Sequence, residues 1–375
     1  MEGIDVSYKR IDVYLTDLSS TAPTPGKLVL AGKGGPAVLR ASPNGTSVGI
    51  QLPATNANDI AYATWAATPT VVPLITVQGS GPYFSFDGKY AVIFNGPGGY
   101  WFDLSLPMPT GTAISSSNGI GISWSPNAET LFMATGAGPA YEFARGDFTT
   151  TGMTKTALAS PMSCTSSPVR WSPDGKNGLF GCSADLRGIN NLPTAVAGSD
   201  FTLLPSGFLS KSYTDIPTSG WSPDSKWIAL RADRDADMQY DLQLIRWSAV
   251  GTAYKPHANT MASGVSAWAF AQNSQAIAFV GTVTPQANAA LYLSKLPASG
   301  APSIATLVSS PAASVVQTDV NWAPGSRVIA YRAVVSGGTQ LFAVPVSADG
   351  SAGSVVPVSG ASGGGVSSYL LAPTR

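Results

Sequence analysis

Three aspartates at alternate positions form the densest acid cluster in the chain, within Arg231-Ala232-Asp233-Arg234-Asp235-Ala236-Asp237. Oxygen ligands two residues apart can point the same way, and a hard cation such as Ca2+ takes that kind of donor set. The stretch lacks the glycine and distal glutamate of an EF-hand loop, and its two arginines offset the charge. A solvated, self-paired loop is the plainer reading. Asp233, Asp235 and Asp237, with Asp241 close behind, remain the candidate metal or ligand residues. No cofactor is called for: Gly32-Lys33-Gly34-Gly35 and Asn95-Gly96-Pro97-Gly98-Gly99 are glycine-rich, but neither leads into a helix that would hold a phosphate.

Cys164 and Cys182 are the only cysteines, placed almost symmetrically about Pro173. A hairpin centred there sets them opposite each other, at a separation a disulfide can bridge. The alternative is a pair of buried free thiols. A zinc site is not supported, since no histidine is near and zinc takes four ligands. The disulfide reading favours an oxidising compartment.

Nucleophilic catalysis has little to draw on. His257 is the sole histidine, in an outer-strand or loop position within Tyr254-Lys255-Pro256-His257-Ala258. Gly45-Thr46-Ser47-Val48-Gly49 matches the nucleophile-elbow pattern formally. That elbow needs a strand-to-helix turn, and here the match falls on a β-hairpin. Asn44-Gly45-Thr46 is a formal glycosylation sequon of the kind that arises by chance.

The elements that hold these residues repeat. Trp171-Ser172-Pro173-Asp174-Gly175-Lys176 returns as Trp221-Ser222-Pro223-Asp224-Ser225-Lys226, as Trp124-Ser125-Pro126-Asn127-Ala128-Glu129, and in decayed form as Trp322-Ala323-Pro324-Gly325-Ser326-Arg327. Aligned on the motif proline, the anchors are Pro43, Phe86, Pro126, Pro173, Pro223, Gln272, Pro324 and Pro373. They lie roughly 40–50 residues apart, the period of four-stranded propeller blades. Proline presets φ at the second turn position, and Asp followed by Gly or Ser suits the next two. Asp87, Asp174 and Asp224 therefore read as turn residues, because an active site appears once and not in every repeat. In the clearest repeat, strand A ends at Trp221-Ser222, B is Trp227 to Leu230, C is Tyr240 to Trp247, and D lies near Ala253 to Lys255.

The expected fold is all-β: a single domain over residues 1–375, an eight-bladed β-propeller of four-stranded blades. The last anchor supplies a strand with nothing after it, while Ile11 to Leu18 and Lys27 to Leu30 look like C and D strands with no anchor before them. Residues 4–30 are thus expected to complete the last blade and close the ring, removing open sheet edges.

The motif, the short apolar strand after it, and a strand such as Val13-Tyr14-Leu15-Thr16-Asp17-Leu18 together resemble the TolB-type propeller repeat. They are also similar to the propeller domains of prolyl-oligopeptidase and dipeptidyl-peptidase-IV-type enzymes. The resemblance covers nearly the whole chain and implies a fold more than a function. TolB-like propellers mostly bind partners, whereas the peptidases carry their chemistry in a separate domain.

Composition sets further limits. Charged residues make up 11%, the 21 basic and 21 acidic residues cancel, and glycine (40) and proline (29) are abundant. With no basic stripe, nucleic acid is not an expected partner. No apolar run is long enough to span a bilayer, and the first residues carry no signal-peptide pattern. The functional expectation is a non-catalytic extracytoplasmic binding or scaffold module, periplasmic, cell-surface or secreted, acting as a monomer or within a larger assembly. It would recognise a protein or glycan through the B–C and D–A loops and the channel mouth. Tyr62, Trp65, Tyr83, Tyr100 and Tyr213 are aromatics near those loops, and blade core is their plainer role. The alternative is the substrate-gating propeller of a prolyl-oligopeptidase-like hydrolase whose catalytic domain lies outside this chain.

Overall fold

The computed structural model describes residues 10–15, 27–34 and 38–359. Within the last span it leaves out 55–56, 65–69, 96–97, 116–118, 138–139, 150–151, 164–168, 183–184, 205–219, 233–239, 258–263, 283–287, 310–314 and 336–337. Apart from one 3-10 turn at Leu192–Thr194, every regular element among these residues is a β-strand. β1 (Arg10–Leu15) pairs antiparallel with β2 (Lys27–Gly34). Repeat 1 is β3 (Val38–Ala41), β4 (Ser47–Ala54), β5 (Ala57–Thr64) and β6 (Val71–Val77). Repeat 2 is β7 (Gly79–Phe84), β8 (Tyr90–Asn95), β9 (Gly98–Asp103) and β10 (Thr112–Ser115). Repeat 3 is β11 (Gly119–Trp124), β12 (Thr130–Ala137), β13 (Ala140–Thr149) and β14 (Gly152–Ser163). Repeat 4 is β15 (Val169–Trp171), β16 (Gly178–Cys182), β17 (Asp185–Ile189) and β18 (Asp200–Leu204).

Repeat 5 has β19 (Trp227–Ala232), β20 (Asp241–Arg246) and β21 (Ala253–Tyr254), and a bridge from Trp221 to Ile228 stands in for its first strand. Repeat 6 is β22 (Val265–Phe270), β23 (Ala276–Gly281), β24 (Ala290–Lys295) and β25 (Thr306–Leu307). Repeat 7 is β26 (Val315–Trp322), β27 (Val328–Val335), β28 (Gly338–Pro345) and β29 (Val356–Pro357). In every repeat the strands follow one another in sequence order within one sheet, the up-and-down pattern of a propeller blade. In repeat 5 the strand limits lie within two residues of those read from the sequence, and β2 runs to Gly34 where the sequence suggested Leu30. The anchor at Pro373 lies outside the described residues, and with it the expected closure through residues 4–30.

The chain forms two compact units, Met1–Trp171 with Asn191–Ser199, and Ser172–Asn190 with Asp200–Arg375. In the first unit β3 lies against β7 and β11 against β15; in the second, β22 lies against β26. In these three pairs the first strands of successive sheets adjoin, and the sheet of repeat 5 buries both faces. β19 shows how one strand serves both. Ile228 and Leu230 face Leu179, Leu186 and Leu203 of repeat 4, while Trp227 and Ala229 face Ile277 and Phe279 of repeat 6. Side chains alternate along a strand, so a strand packed on both faces reads as an unbroken apolar run. Each fully buried aliphatic, such as Ile228, contributes about 1.5–3 kcal/mol.

The motif turns bind the repeats together. In six of the seven, all but that of repeat 3, a residue in the left-handed region is glycine (Gly45, Gly88, Gly175) or serine (Ser225, Ser274, Ser326, φ 58 to 62°). Its N–H donates to the carbonyl three residues back at 2.9–3.1 Å, closing a tight hairpin. Three motif tryptophans reach to the preceding repeat. Trp124 Nε1 donates to Tyr83 O at 2.9 Å, Trp171 Nε1 to Ser123 O at 2.8 Å, and Trp322 Nε1 to Ala269 O at 3.0 Å. The outermost strands β6 and β29 contain Pro73 and Pro357, which blunt an otherwise exposed sheet edge.

Candidate functional site

The repeated acids are turn residues in geometry as well as in pattern. Ser222 Oγ donates to Asp224 Oδ1 at 2.7 Å and the Lys226 N–H donates to the same oxygen at 3.2 Å. The corresponding distances are 2.5 and 3.1 Å at Asp174, and 3.2 and 2.7 Å at Asp87. Burial alone would raise the Asp224 carboxyl; the bonds from Ser222, the Lys226 N–H and its ammonium outweigh that and hold it below its ordinary value. The motif serine is buried in each turn. Its oxygen accepts the N–H five residues on, as Ser222 does from Trp227 at 2.9 Å. Asn44 has the same role, accepting from Ser42 Oγ at 2.8 Å and from the Thr46 N–H at 3.0 Å, and its amide donates to the Asp87 carbonyl. That accounts for the sequon without glycosylation.

A different constellation stands at the other end of repeat 5. Asp241 opens β20 opposite Ala232, the last residue of β19 and the one farthest from the motif turn. β20 and β21 pair Leu244 with Tyr254, and continuing that register sets Gln243 opposite Lys255 and Asp241 opposite His257. The side chains follow suit. His257 Nε2 lies 3.4 Å from Asp241 Oδ1, and the Lys255 ammonium sits on Oδ2. Asp241 is 2% exposed and His257 7%, and the Phe279 ring lies 6.1 Å from the imidazole. The lysine neutralises the carboxylate in place, which is how a buried charge is tolerated.

Gln243 lies beside this knot, 1% exposed, and neither atom of its amide has a hydrogen-bond partner. A buried, unsatisfied amide costs about 1–3 kcal/mol, so it stands out as an unused donor–acceptor pair. The knot gives no nucleophile an activated base: both oxygens of Asp241 are engaged by cationic or imidazole groups. What it offers is a fixed, buried polar cluster at the start of β20.

Sequence reasoning named Asp241 only as an annex to the acid loop and placed His257 on the periphery. The histidine does follow the outermost strand of its sheet, but it is buried against the carboxylate. Asp233, Asp235 and Asp237 lie outside the described residues, as do Cys164, Trp65 and Tyr213. Cys182 ends β16. The Ser172 N–H donates to Asn177 O at 2.8 Å, which moves the centre of that hairpin from Pro173 to between Asp174 and Gly175. Tyr62 is a core residue, 4% exposed, and burial raises its phenol. Among the described residues no cluster of His, Cys, Asp and Glu could hold a metal.

A groove of about 570 Å³ lies on the turn side of repeats 5 to 7, lined by Lys226, Trp227, Lys295, Pro297 and Asp349. Arg246 ties lining residues together, stacking 4.3 Å over Trp227 and donating to Pro297 O (2.8 Å), Gly300 O (3.0 Å) and Ala298 O.

No protein-family model matches the chain, and no curated protein sequence matches it. Among solved structures it is similar to TolB from Acinetobacter baumannii, with 14% identity over 82% of this chain and 80% of that one and a TM-score of 0.35. It is also similar to the β-propeller domain of the Trilobed protease from Pyrococcus furiosus (12% identity, 87% and 99% covered, TM-score 0.41). A third is a functionally unknown protein from Desulfotomaculum acetoxidans DSM 771 (12% identity, 91% and 100% covered, TM-score 0.42). At these identities and scores the likenesses say nothing of what the chain binds.

Proposed function

We propose that the chain is a non-catalytic binding or scaffold module that works outside the cytoplasm and engages a protein or glycan at the loop ends of its sheets. The observation that supports this most is how its polar groups are divided. On the turn side, the repeated hydroxyls and carboxylates are committed to closing hairpins. At the far end of repeat 5, Asp241, Lys255 and His257 form a buried polar cluster, with the unpartnered Gln243 on the same strand as Asp241. Rigid strands with variable loops at one end are a usual way to build a recognition surface. No helix among the described residues is long and apolar enough to cross a membrane.

The test is to screen the full chain against a glycan array and a panel of envelope and secreted proteins, then map each bound partner by cross-linking and hydrogen exchange. Protection at residues 240–243 and 255–257 and at the loops beside them is expected. Turnover of a substrate at an enzymatic rate would overturn the reading, as would partners that protect only the motif turns.

A further inference from the structure

The joint between repeats 2 and 3 is built differently from those of repeats 4 to 7. In the latter, the N–H of the motif acid or its asparagine donates to a serine hydroxyl of the next turn: Asp174 to Ser225, Asp224 to Ser274, Asn273 to Ser326, at 2.9–3.0 Å. A hydroxyl does not titrate in any ordinary pH range. Repeat 3 has Ala128 at that position, not in the left-handed region, and Glu129 where Lys89, Lys176 and Lys226 stand in other repeats. Glu129 takes over the serine's task, and its Oε1 accepts the Asp87 N–H at 3.1 Å.

This substitution places one carboxyl against another. The Glu129 carboxyl, held on the Asp87 N–H, stands beside the Asp87 carboxyl, and Glu129 Oε2 is shut off from solvent with no hydrogen-bond partner. The other groups that act on the pair are the Ser85 hydroxyl and Lys89. Lys89 is shared with Asp103, and its ammonium sits 5.0 Å over the Tyr90 ring. One shared lysine does not balance two adjacent carboxylates, and like charges in contact keep a proton between them.

We infer that Asp87 and Glu129 form a proton-sharing carboxyl pair that ties the turns of repeats 2 and 3 together in mildly acid solution and loosens as the pH rises. A proton on the otherwise unpartnered Glu129 Oε2 removes the repulsion between the two carboxyls, while Oε1 keeps the Asp87 N–H. The electrostatics agree. Burial, then contact with Asp87, raises Glu129 above its ordinary value. Burial works against Asp87, but bonds from Glu129, the Lys89 N–H and Ser85 outweigh it and keep that carboxyl low. A raised folded-state value stabilises the fold at acid pH, and the contribution is lost as the pH climbs through that value.

The unfolding midpoint of the full chain should be followed from about pH 4, below the ordinary glutamate value, to about pH 8 for the native protein and for Glu129→Gln, which keeps an acceptor and a donor but cannot ionise. The native midpoint is expected to fall relative to the variant by about 2 °C or more over that window. Parallel curves would overturn the inference. Should the variant fold poorly, a carboxyl-carbon NMR titration of the native chain decides the matter. Glu129 must titrate above the ordinary glutamate value of 4.5, and a value at or below it would sink the pair. Amide exchange localises the effect: protection at Asp87 should fall with pH more steeply than intrinsic exchange, while protection at Asp174 and Asp224 should not.

Discussion

The hydroxyl of Ser225 accepts the backbone N–H of Asp174 at 3.0 Å, and one repeat on Ser274 accepts that of Asp224 at 2.9 Å. Ser225 is a non-glycine residue at φ 62°, a conformation that costs an L-residue roughly 1 kcal/mol. Serine holds the position because its oxygen joins two turns, a task glycine cannot perform.

Two substitutions at Ser225 separate these effects. Ser225→Gly relieves the backbone and loses the bond, so the terms offset and stability should change by less than about 0.5 kcal/mol. Ser225→Ala loses the bond and keeps the strain, and should cost about 1–2 kcal/mol. Urea unfolding midpoints check the order. If alanine proved no worse than glycine, the inter-turn bond would contribute nothing.

The carboxyl of Asp224 gives the acid side of the stability profile. Its folded value is lowered from 3.8, so its contribution is complete above the ordinary value and is lost as the pH falls through the folded one. Asn44 and Asn127 make the same serine contact without a charge, at 2.8 and 2.9 Å. Asp224→Asn should therefore cost less than about 1 kcal/mol near neutrality and flatten the loss of stability in acid. An unchanged acid slope would show that other groups set it.

The hairpins and their strands were legible in the sequence because Trp-Ser-Pro-Asp-Gly-Lys is a local signal: a fixed φ at proline, a serine–aspartate bond and a left-handed residue all lie within six positions. What the sequence hid was non-local. Nothing near Ser225 in the chain marks Asp174 as its donor. The contact of Asp241 with His257 depends on the register between β20 and a two-residue β21, a strand too short to declare its phase. The hairpin centre near Cys182 was misplaced because Pro173 marks the second position of the turn and not its middle.

Gly188 carries a packing constraint with no turn to explain it. A Cβ at that position would lie 2.5 Å from Trp247 Cη2 and 2.7 Å from Phe201 Cζ. Trp247 is not free to retreat, since its Nε1 donates to Asn190 Oδ1 at 2.9 Å and its ring lies 4.9 Å from that of Trp221. Gly188→Ala should cost about 1–3 kcal/mol by overpacking and alter the near-ultraviolet signal of these tryptophans. A neutral result with an unchanged spectrum would mean the rings yield easily.

Cys164 and Cys182 make an oxidising compartment testable. Protein recovered from its native location under alkylating conditions should take up no alkyl groups before reduction and two after it, read as intact mass. Two modified thiols before reduction would remove the disulfide, and with it the chief chemical argument for an extracytoplasmic setting.

Gln243 tests what a buried, unpaired amide costs the fold. Its amide is 1% exposed with no hydrogen-bond partner, and it shares a strand face with Ile245 of the apolar cluster between repeats 4 and 5. Gln243→Leu, close in volume and without a polar group to satisfy, should gain about 1–2 kcal/mol. Asp241→Ala is the contrasting variant. It strands the Lys255 ammonium in a site where the carboxylate is 2% exposed, and should cost about 3–5 kcal/mol. Urea unfolding midpoints check both. If Gln243→Leu were less stable than the native chain, ordered water or another polar group would already satisfy the amide.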